Sequence, residues 1–500
     1  MIFATASRAP RTLSSPPSAI WAVSSFVTSS AASSPLVVTG AVVLVGTLFV
    51  MHKNYQRRLR LQELLSKPVL ESLWLTPEDN ESRNNNNNEC IYLDYNGTTS
   101  IHPLVLAAML PFLTVHFGNP SSSHAYGRIP QRAVTNARQS ILRLLGTKDP
   151  STDNNNSLWF TGCGTESDNL AIALALQSSP EPNPHIVTTN VEHPAIEKCL
   201  QHWQAAGRGV EVTYVPVQPN GRVRAEDVVM ALRDNTVLVT VMLANNESGA
   251  LMPIREIGHV CRQRNILVHT DAAQACGKVC LSELLRDKDD QQLVVDMVTL
   301  VGHKMGAPKG IAALYVKPHC LTSHGRSLPP NQAVLLHGGG QEFGRRGGTE
   351  NVPYMVGMGK AADLSLQHLD RNMRHMEHLR TTLLEGLQDE LDGVTTVRPN
   401  GPSDASQRLP NTLSVGIKGI QSGTLLSSIQ DKVAASAGAA CHSSSSSGGS
   451  ISSVLRAMKV PTEYATGTLR LSVGPTTTIQ DIQKATKIIA DEVKTQLQTQ

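Results

Sequence analysis

Between about residues 90 and 350, short apolar runs alternate with segments of helical periodicity, and this alternation constrains the fold more than any other feature. The predicted strands are residues 186–189, 211–215, 237–244, 266–270, 294–301 and 311–316. Segments such as residues 253–265 separate them and are predicted helices. Strands that alternate with helices form a mainly parallel sheet covered by helices on both faces. The sequence therefore predicts an α/β fold.

Polar side chains follow the ends of three of these strands. Asn246 follows the run 237–244, Asp271 directly follows 266–270, and Lys304 comes three residues after 294–301. Ligands of open α/β sheets bind at the carboxyl ends of the strands. A lysine beside a carboxylate there suits pyridoxal phosphate (PLP), because the lysine forms a Schiff base and the carboxylate holds the pyridinium nitrogen protonated. An isolated surface lysine is the alternative, so the interpretation depends on the motifs around it.

A glycine-rich turn at residues 160–170 precedes a predicted helix. Backbone amides at a helix N-terminus bind phosphate, and here they would come from Gly164 and Thr165, with help from the Thr165 hydroxyl. Simple N-capping is the alternative for this turn. His193 follows the strand 186–189 and could stack on a cofactor ring and move protons, although a structural histidine is the common outcome.

Two further segments carry candidate functional residues. Residues 338–351 are dense in glycine and contain Thr349, so the backbone could approach a ligand or a partner subunit closely there. Cys441 follows small residues and precedes the serine run 443–447. A cysteine on an exposed loop can reach a substrate as a thiolate, and a small buried side chain is the alternative.

Cysteine spacing and charge exclude several classes of function. The eight cysteines form no CxxC pair and no His cluster completes a zinc site, so no metal and a reducing compartment are expected. Six basic residues and no acidic residue precede Glu63. Subtracting those six from 44 leaves 38 basic against 41 acidic residues, about −3 for the remainder. Nothing in that balance indicates a nucleic-acid surface.

The N-terminal part divides into three segments before the catalytic module. Residues 1–35 are Ser-rich with scattered arginines and resemble an organelle transit peptide, which predicts a mitochondrial or plastid protein, or a cytosolic one if the segment is not a targeting signal. Residues 36–51 carry no charge and are predicted to be a membrane anchor or a cleaved targeting region. Residues 52–89 read as a polar linker with a polyasparagine run.

We expect two domains in the rest of the chain. Residues 90–354 would form the large, cofactor-binding domain. Residues 355–500 would form a smaller α+β domain that carries Cys441, with long helices at 358–390 and 479–498. The change from alternating strands and helices to long helices with shorter strands sets this boundary.

Taken together, these motifs resemble the class V aminotransferase fold, PLP-dependent fold type I, and within it the cysteine desulfurase and selenocysteine lyase family. The resemblance covers about residues 91–495 and is carried by residues 92–99, 118–122, 160–170, 192–194, 245–249, 269–274, 303–304, 338–351, 438–443 and 469–474. So many motifs in the right order make the resemblance specific.

For the cofactor, the resemblance implies that Lys304 forms the Schiff base with PLP and later moves protons between Cα and the cofactor. Asp271 would pair with the pyridine nitrogen, and His193 would stack on the ring. The remaining implied contacts are with the phenolic oxygen, from Gln274 and Asn246, and with the phosphate, from Gly164, Thr165, His303 and, across a homodimer, Thr349.

For the substrate, the resemblance implies L-selenocysteine or L-cysteine, with L-alanine as the other product. Arg470 would bind the substrate carboxylate bidentately, a task that suits a guanidinium group, and Asn96 would also contact the substrate. Cys441 would attack or protonate the departing sulfur or selenium, carry it as a persulfide, and pass it to an acceptor protein.

Two departures from common desulfurase patterns favour the selenocysteine lyase branch. Val301 stands where many desulfurases have a serine, and residues 438–443 read Gly-Ala-Ala-Cys-His-Ser. A desulfurase that supplies persulfide for iron–sulfur cluster or thio-cofactor synthesis is the alternative. Transamination is less compatible because it needs no thiol such as Cys441, and an inactive membrane-tethered scaffold is less compatible with an intact Lys304 and Asp271.

Overall fold

A seven-stranded sheet organises the larger part of the structure, a computed structural model that describes residues 90–147, 156–207, 209–323, 326–327, 334–437 and 451–499. The strands are β1 (Ile91–Tyr92), β2 (Leu158–Thr161), β3 (His185–Thr189), β4 (Glu211–Val215), β5 (Thr236–Thr240), β6 (Leu267–Asp271), β7 (Met297–Val301), β8 (Ala312–Val316), β9 (Thr322–Ser323), β10 (Arg326–Ser327), β11 (Val397–Asn400), β12 (Thr412–Ile417), β13 (Val433–Ala434) and β14 (Thr468–Ser472).

The helices flank the sheets and follow in chain order. They are α1 (Pro103–Thr114), α2 (Ala125–Leu145), α3 (Gly164–Ser178), α4 (Pro194–Ala205), α5 (Ala225–Met230), α6 (Ile254–Gln263), α7 (Leu281–Leu285), α8 (Gln341–Gly344), α9 (Val352–Glu390), α10 (Ser422–Ile429), α11 (Ser453–Ala457), α12 (Thr462–Ala465) and α13 (Ile479–Gln498). Short 3₁₀ turns occupy Gly302–Lys304, Pro318–Leu321 and Ala405–Gln407.

The large sheet has the strand order β2-β8-β7-β6-β5-β3-β4. Strands β4, β3, β5, β6 and β7 run parallel, and β8 lies antiparallel between β7 and β2. The predicted α/β fold with a mainly parallel sheet is confirmed. Because β5, β6 and β7 are neighbours, their carboxyl ends bring the residues that follow them to one edge of the sheet.

Five of the six predicted strands differ from the structure in their bounds by one to four residues, and strand β2 of the large sheet was not predicted. The predicted strand 237–244 corresponds to β5, which ends at Thr240. Beyond it, Val241 and Leu243 donate backbone hydrogen bonds to the carbonyl oxygens of His269 and Asp271 in β6, at 3.2 and 2.8 Å, outside the regular ladder. Strand β2 was not predicted, because its four residues show no alternation and all of them are buried. Continuous burial removes the period-two pattern by which an isolated strand is identified.

Three buried apolar clusters surround the sheets. One fills the face of the large sheet covered by α1, α2 and α6, another lies under α3 and α4, and a third joins the sheet β11-β12-β14 to α10 and α13. Helix α9 contributes Val352 to Leu364 to the first cluster and Met376 to Leu387 to the third. Ile91 and Leu93 also belong to the third cluster. The division into domains 90–354 and 355–500 stays a prediction.

A buried ion pair fixes the glycine-dense segment against α2. Arg138 donates to both carboxylate oxygens of Glu342 at 2.7 and 3.0 Å, and Glu342 accepts a further hydrogen bond from the Phe160 backbone at 2.7 Å. The guanidinium group lies between the rings of Phe160 and Phe343, 5.1 Å from each centroid. Glu342 adopts a left-handed backbone with φ of 47°. These partners hold a conformation that a non-glycine residue rarely adopts.

The N-terminal predictions lie outside the described residues. These are the transit-like segment 1–35, the hydrophobic segment 36–51 and the linker 52–89. Within the part of the chain that the structure does describe, no helix combines the length and apolar character that crossing a membrane requires.

Candidate active site

Lys304 lies at the carboxyl end of β7, in the 3₁₀ turn Gly302–Lys304. Its Nζ donates hydrogen bonds to the carbonyl oxygens of Asn96 at 2.5 Å and Gly97 at 2.7 Å. A side chain that is half buried and bonded to main-chain oxygens is held in one direction, unlike a surface lysine in solvent. The structure therefore places Lys304 at the edge of the sheet where the sequence predicted a ligand site.

Asp271 is the last residue of β6, next to the strand that carries Lys304. Its Oδ1 accepts a hydrogen bond from the Ala273 backbone at 2.8 Å. Burial raises the pKa of Asp271, while this hydrogen bond and the charges of His193 and Lys304 lower it. A buried carboxyl group with a raised pKa gains most from a cation, and a protonated pyridine nitrogen would supply one.

His193 and His303 both carry neutral imidazole rings. His193 is the N-cap residue of α4, and its Nδ1 accepts a hydrogen bond from the Ala195 backbone at 3.1 Å, which leaves the ring proton on Nε2. Burial lowers the pKa of His193, and Lys304 lowers it further against the opposing effect of Asp271. Burial also lowers the pKa of His303 to about 4. A neutral ring can stack on a cofactor and exchange a proton.

The predicted phosphate site is the N-terminus of α3. Cys163 precedes the helix and forms no side-chain capping hydrogen bond, so it leaves the first-turn amides to a ligand. A side chain at Gly164 would bring its Cβ within 2.7 Å of Val301 Cγ2, so glycine is required for the turn to pack against β7. Thr165 is exposed beside it. These features fit a phosphate group.

The glycine-dense segment docks on the same turn. Arg346 Nε donates to Glu166 Oε1 at 3.0 Å, and Glu166 Oε2 accepts from the Gly162 backbone at 2.7 Å. Arg346 thereby offsets a carboxylate that would otherwise repel a phosphate. Thr349, three residues further on, is exposed. Its predicted contact with the phosphate of a partner subunit stays a prediction.

Asn96 connects the cofactor side of the site with the substrate side. Its carbonyl oxygen accepts hydrogen bonds from Lys304 Nζ and from Gln274 Nε2, the latter at 2.9 Å. Its side-chain Nδ2 donates to the Asn246 carbonyl at 3.2 Å and to Thr412 Oγ1 at 2.8 Å. Asn96 is almost completely buried. The structure therefore shows it as a structural link, and its predicted contact with substrate stays a prediction.

Arg470 projects from β14 and is oriented by its neighbours. One terminal nitrogen donates to Asp94 Oδ1 at 2.5 Å and to Ser436 Oγ at 3.0 Å, and the other lies 3.5 Å from the Asn246 carbonyl. Its Nε is buried and has no hydrogen-bond partner among the described residues. An unsatisfied buried donor is costly. The predicted contact of Arg470 with a substrate carboxylate stays a prediction.

Cys441 lies outside the described residues, but both flanks of its segment are described. On one side, Ser436 exchanges backbone hydrogen bonds with Arg470 at 3.2 and 2.7 Å. On the other side, the hydroxyl of Ser452 donates to the buried carboxyl of Glu247. Glu247 follows Asn246 directly, so both flanks attach to residues of the substrate side.

Several residues of the site were not predicted. Lys278 donates to Asn96 and Gln274, Asp94 and Ser436 hold Arg470, and Glu247 holds Ser452. The four-residue spacing of Gln274 and Lys278 is a usable signal, because such residues face the same side of a helical turn. The others act through contacts that join distant parts of the chain, and spacing does not reveal those.

A second group of polar residues lies at the amino end of β7. Asp296, His319 and Cys320 bring one donor atom each within 4.8 Å of one another. Lys317 Nζ lies 3.4 Å from Asp296 Oδ1, so an ammonium group already faces this carboxylate. We therefore assign no metal here, and the expected absence of a metal stays a prediction.

Comparisons with known proteins identify the family of this chain. The family described as Aminotransferase class-V matches residues 91–485. The chain is 37% identical to the cysteine desulfurase IscS of Clostridium botulinum, over 81% of this chain and 95% of that protein. It is 40% identical to a cysteine desulfurase of Trichormus azollae, over 81% and 93% of the two chains. A solved NifS-like protein is 29% identical, with a TM-score of 0.69 over 81% of this chain and 100% of that one.

Glu192 provides a test of the electrostatics of the site. Burial raises its pKa from 4.5 to about 8, although hydrogen bonds from Thr189 and the Met242 backbone lower it. Because the unfolded carboxyl group loses its proton near 4.5, this group's contribution to stability is lost as the pH rises from about 4.5 to about 8. We expect Glu192→Gln to remove that loss.

The measurement is the melting temperature of the cofactor-free protein against pH. The difference between Glu192→Gln and the unmodified protein should grow in favour of the variant as the pH rises from about 5 to about 8. Glu197→Gln, on the partly exposed surface of α4, is the control and should show no such growth. A constant difference for Glu192→Gln would contradict the raised pKa.

Proposed function

The chain belongs to the class-V aminotransferase family, a PLP-dependent family, and we propose that it cleaves the carbon–sulfur bond of L-cysteine or the carbon–selenium bond of L-selenocysteine, releasing L-alanine. One observation carries the proposal. Asn96 accepts a hydrogen bond from Lys304 and donates one to the Asn246 carbonyl, which Arg470 also approaches. Asn96 therefore links the lysine for the cofactor to the Asn246 carbonyl, which lies beside the guanidinium group for an amino-acid carboxylate.

Residues of the chain fit each part of PLP. Asp271 would face the pyridine nitrogen, Gln274 the phenolic oxygen, and the N-terminus of α3 the phosphate. The cofactor supplies an electron sink for the pair of electrons left at Cα. Lys304 Nζ, on the adjacent strand end, would take and return the Cα proton, and the proton on His193 Nε2 would be available to the same centre.

Arg470 would bind the substrate carboxylate through its guanidinium group. Asp94 and Ser436 already fix the plane of the guanidinium group, so little conformational freedom is lost when the carboxylate arrives. Asp94 already shares the positive charge of Arg470. A substrate that brings a second carboxylate of its own would face negative charge that Arg470 does not offset, which favours substrates with a single carboxylate over acidic amino acids.

Cys441 would receive the departing atom. With L-cysteine, the thiolate would attack the substrate sulfur, and the products would be L-alanine and a persulfide on Cys441, with all sulfur and hydrogen atoms conserved. Attachment of Ser436 to Arg470 and of Ser452 to Glu247 supports this role, because the two flanks of the cysteine segment begin and end at the substrate side.

Selenocysteine is the second candidate substrate. The observation that favours it is the presence of Val301. This residue packs against Gly164 beneath the phosphate turn, where many desulfurases offer a serine hydroxyl. The relatives from Clostridium botulinum and Trichormus azollae are both named cysteine desulfurases. The preference between sulfur and selenium and the acceptor of either atom therefore remain proposals. Supply of persulfide for iron–sulfur clusters is compatible with the proposed activity.

The first test measures alanine release from L-cysteine and L-selenocysteine side by side. We expect Lys304→Ala to lower both rates by about 100-fold to 10,000-fold or more, because it removes the general base as well as the cofactor linkage. Cys441→Ala should abolish turnover of L-cysteine, since the Cys441 thiol would receive the sulfur.

The outcomes separate the candidates. Turnover of both substrates, lost for cysteine alone in Cys441→Ala, supports a desulfurase, and a strong preference for selenocysteine supports a lyase. Lys317→Met, a substitution far from the site, is the control and should retain activity. Alanine from neither substrate would contradict both candidates.

We also propose that the chain forms a homodimer through an exposed apolar surface near α1 and α2. The rings of Phe117 and Tyr126 lie 5.9 Å apart and are 70% and 64% exposed. Leu113 and Ile129 are also exposed nearby in the sequence. Large apolar side chains exposed together are typical of an interaction surface.

Light scattering after size-exclusion chromatography tests the homodimer. We expect the mass of two chains for the unmodified protein and a lower mass at the same concentration for Phe117→Glu with Tyr126→Glu, because buried charges oppose association. Met230→Glu, which changes an exposed apolar residue of α5, is the control. A single-chain mass for the unmodified protein would contradict the proposal.

Location in an organelle, mitochondrial or plastid, and anchoring through residues 36–51 remain proposals that rest on the sequence alone. Carbonate extraction of membranes from cells that produce the full chain would test the anchor. Retention in the membrane pellet, lost when residues 36–51 are deleted, is the expected result, and complete release of the full chain would contradict it.

A further inference from the structure

Lys278 is a buried lysine that the proposed chemistry does not use. It is 5% exposed, and its Nζ donates hydrogen bonds to Asn96 Oδ1 at 2.9 Å and to Gln274 Oε1 at 2.8 Å. Both partners are neutral amide oxygens. Burial lowers the pKa of Lys278 well below its usual value, and the charges of Lys304 and Arg470 lower it further against the effect of Cys276. Burying an amine without a carboxylate is costly, so a specific task is expected.

The geometry of Gln274 indicates that task. Its side-chain oxygen accepts from Lys278, and its nitrogen donates to the Asn96 carbonyl, the same oxygen that accepts from Lys304 Nζ. A primary amide has one accepting and one donating end. Because Lys278 occupies the accepting end, the donating end of Gln274 faces the Asn96 carbonyl, which Lys304 also contacts.

The same lysine also fixes Asn96. Its Oδ1 accepts from Lys278 and from Asn411 Nδ2, the latter at 3.0 Å, so its Nδ2 points toward Asn246 and Thr412. Lys278 therefore selects one orientation for the two amide side chains that accept its hydrogen bonds. Without this donor, the Gln274 amide could rotate and present its oxygen instead.

We propose that Lys278 is a positioning residue that orients the Gln274 amide so that its NH₂ group, rather than its oxygen, faces the phenolic oxygen of PLP. The proposal rests on the proposed function only through bound PLP and is independent of which substrate is cleaved. A donor at the phenolic oxygen stabilises its negative charge, and its loss makes that oxygen more basic. The role of Lys278 is therefore measurable in the protonation of the bound cofactor.

The experiment titrates the visible absorption of bound PLP with pH in the holoenzyme. We expect Lys278→Met to raise the apparent pKa of the chromophore by about one unit, the scale of one charge-assisted hydrogen bond. Gln274→Ala should raise it by a similar amount. The double variant should show no further rise, since non-additivity reports that the first residue acts through the second.

A matched control and a second variant keep the test decisive. Lys317→Met also replaces a largely buried lysine that donates to a backbone carbonyl, but at the amino end of β7, and should leave the chromophore pKa unchanged. Lys278→Gln keeps a neutral donor on a shorter side chain and should give a smaller rise than Lys278→Met. If Lys278→Met does not fold, Lys278→Gln still tests the proposal.

Three results would overturn the proposal. These are an unchanged chromophore pKa in the variants at 278, a double variant whose shift equals the sum of the single shifts, and failure of both variants at 278 to yield folded protein. The second result would mean that Lys278 acts by charge alone, and the third that it acts in folding. Absence of any PLP chromophore in the unmodified protein would instead contradict the proposed function, so the two failures are distinguishable.

Discussion

The site depends on the hydrogen bonds of Asn96. Its main chain and side chain together contact Lys304, Gln274 and Lys278 from the large sheet and Thr412 and Ser472 from the small one. Each of these bonds is buried or partly buried, where an unpaired polar group costs about 1–3 kcal/mol. Loss of the Asn96 side chain would remove the hydrogen bonds to Lys278 and Thr412, while the main-chain bonds to Lys304, Gln274 and Ser472 would remain. The cofactor side and the substrate side are thus held at a fixed distance by one asparagine.

One helix and one ion pair support the parts of the structure that surround Asn96. Helix α9 runs from the apolar cluster of the large sheet to that of the small sheet, so the two parts share one rigid element. Arg138 and Glu342 hold the glycine-dense segment against α2, and Arg346 of that segment reaches Glu166 at the phosphate turn. The position of the phosphate turn therefore depends on the buried ion pair of Arg138 and Glu342. Removing one partner of such a pair is destabilising, because it leaves an unpaired buried charge.

Much of the fold and some of the site could be predicted before any coordinates were considered. Strand β4 and helix α13 have the predicted bounds, and Asp271 and Lys304 lie at neighbouring strand ends, because apolar runs mark parallel strands and ligand sites follow them. The antiparallel direction of β8 and the existence of the buried strand β2 could not be derived, since strand direction and continuous burial leave no periodic signal. The four-residue spacing of Gln274 and Lys278 was a local signal for that pair, but the contact of Lys278 with Asn96, 182 residues away in the chain, left none.

The sequence by itself determined the class of the fold and predicted a lysine and a carboxylate at neighbouring strand ends, since periodicity and local motifs encode strands, turns and the residues that follow them. Only the tertiary structure decided how those residues are used. The neutral state of His193, the direction of the Gln274 amide and the fixed plane of Arg470 all follow from burial and from hydrogen bonds between distant segments. Desolvation and donor–acceptor geometry are properties of the packed interior, and spacing along a chain does not contain them.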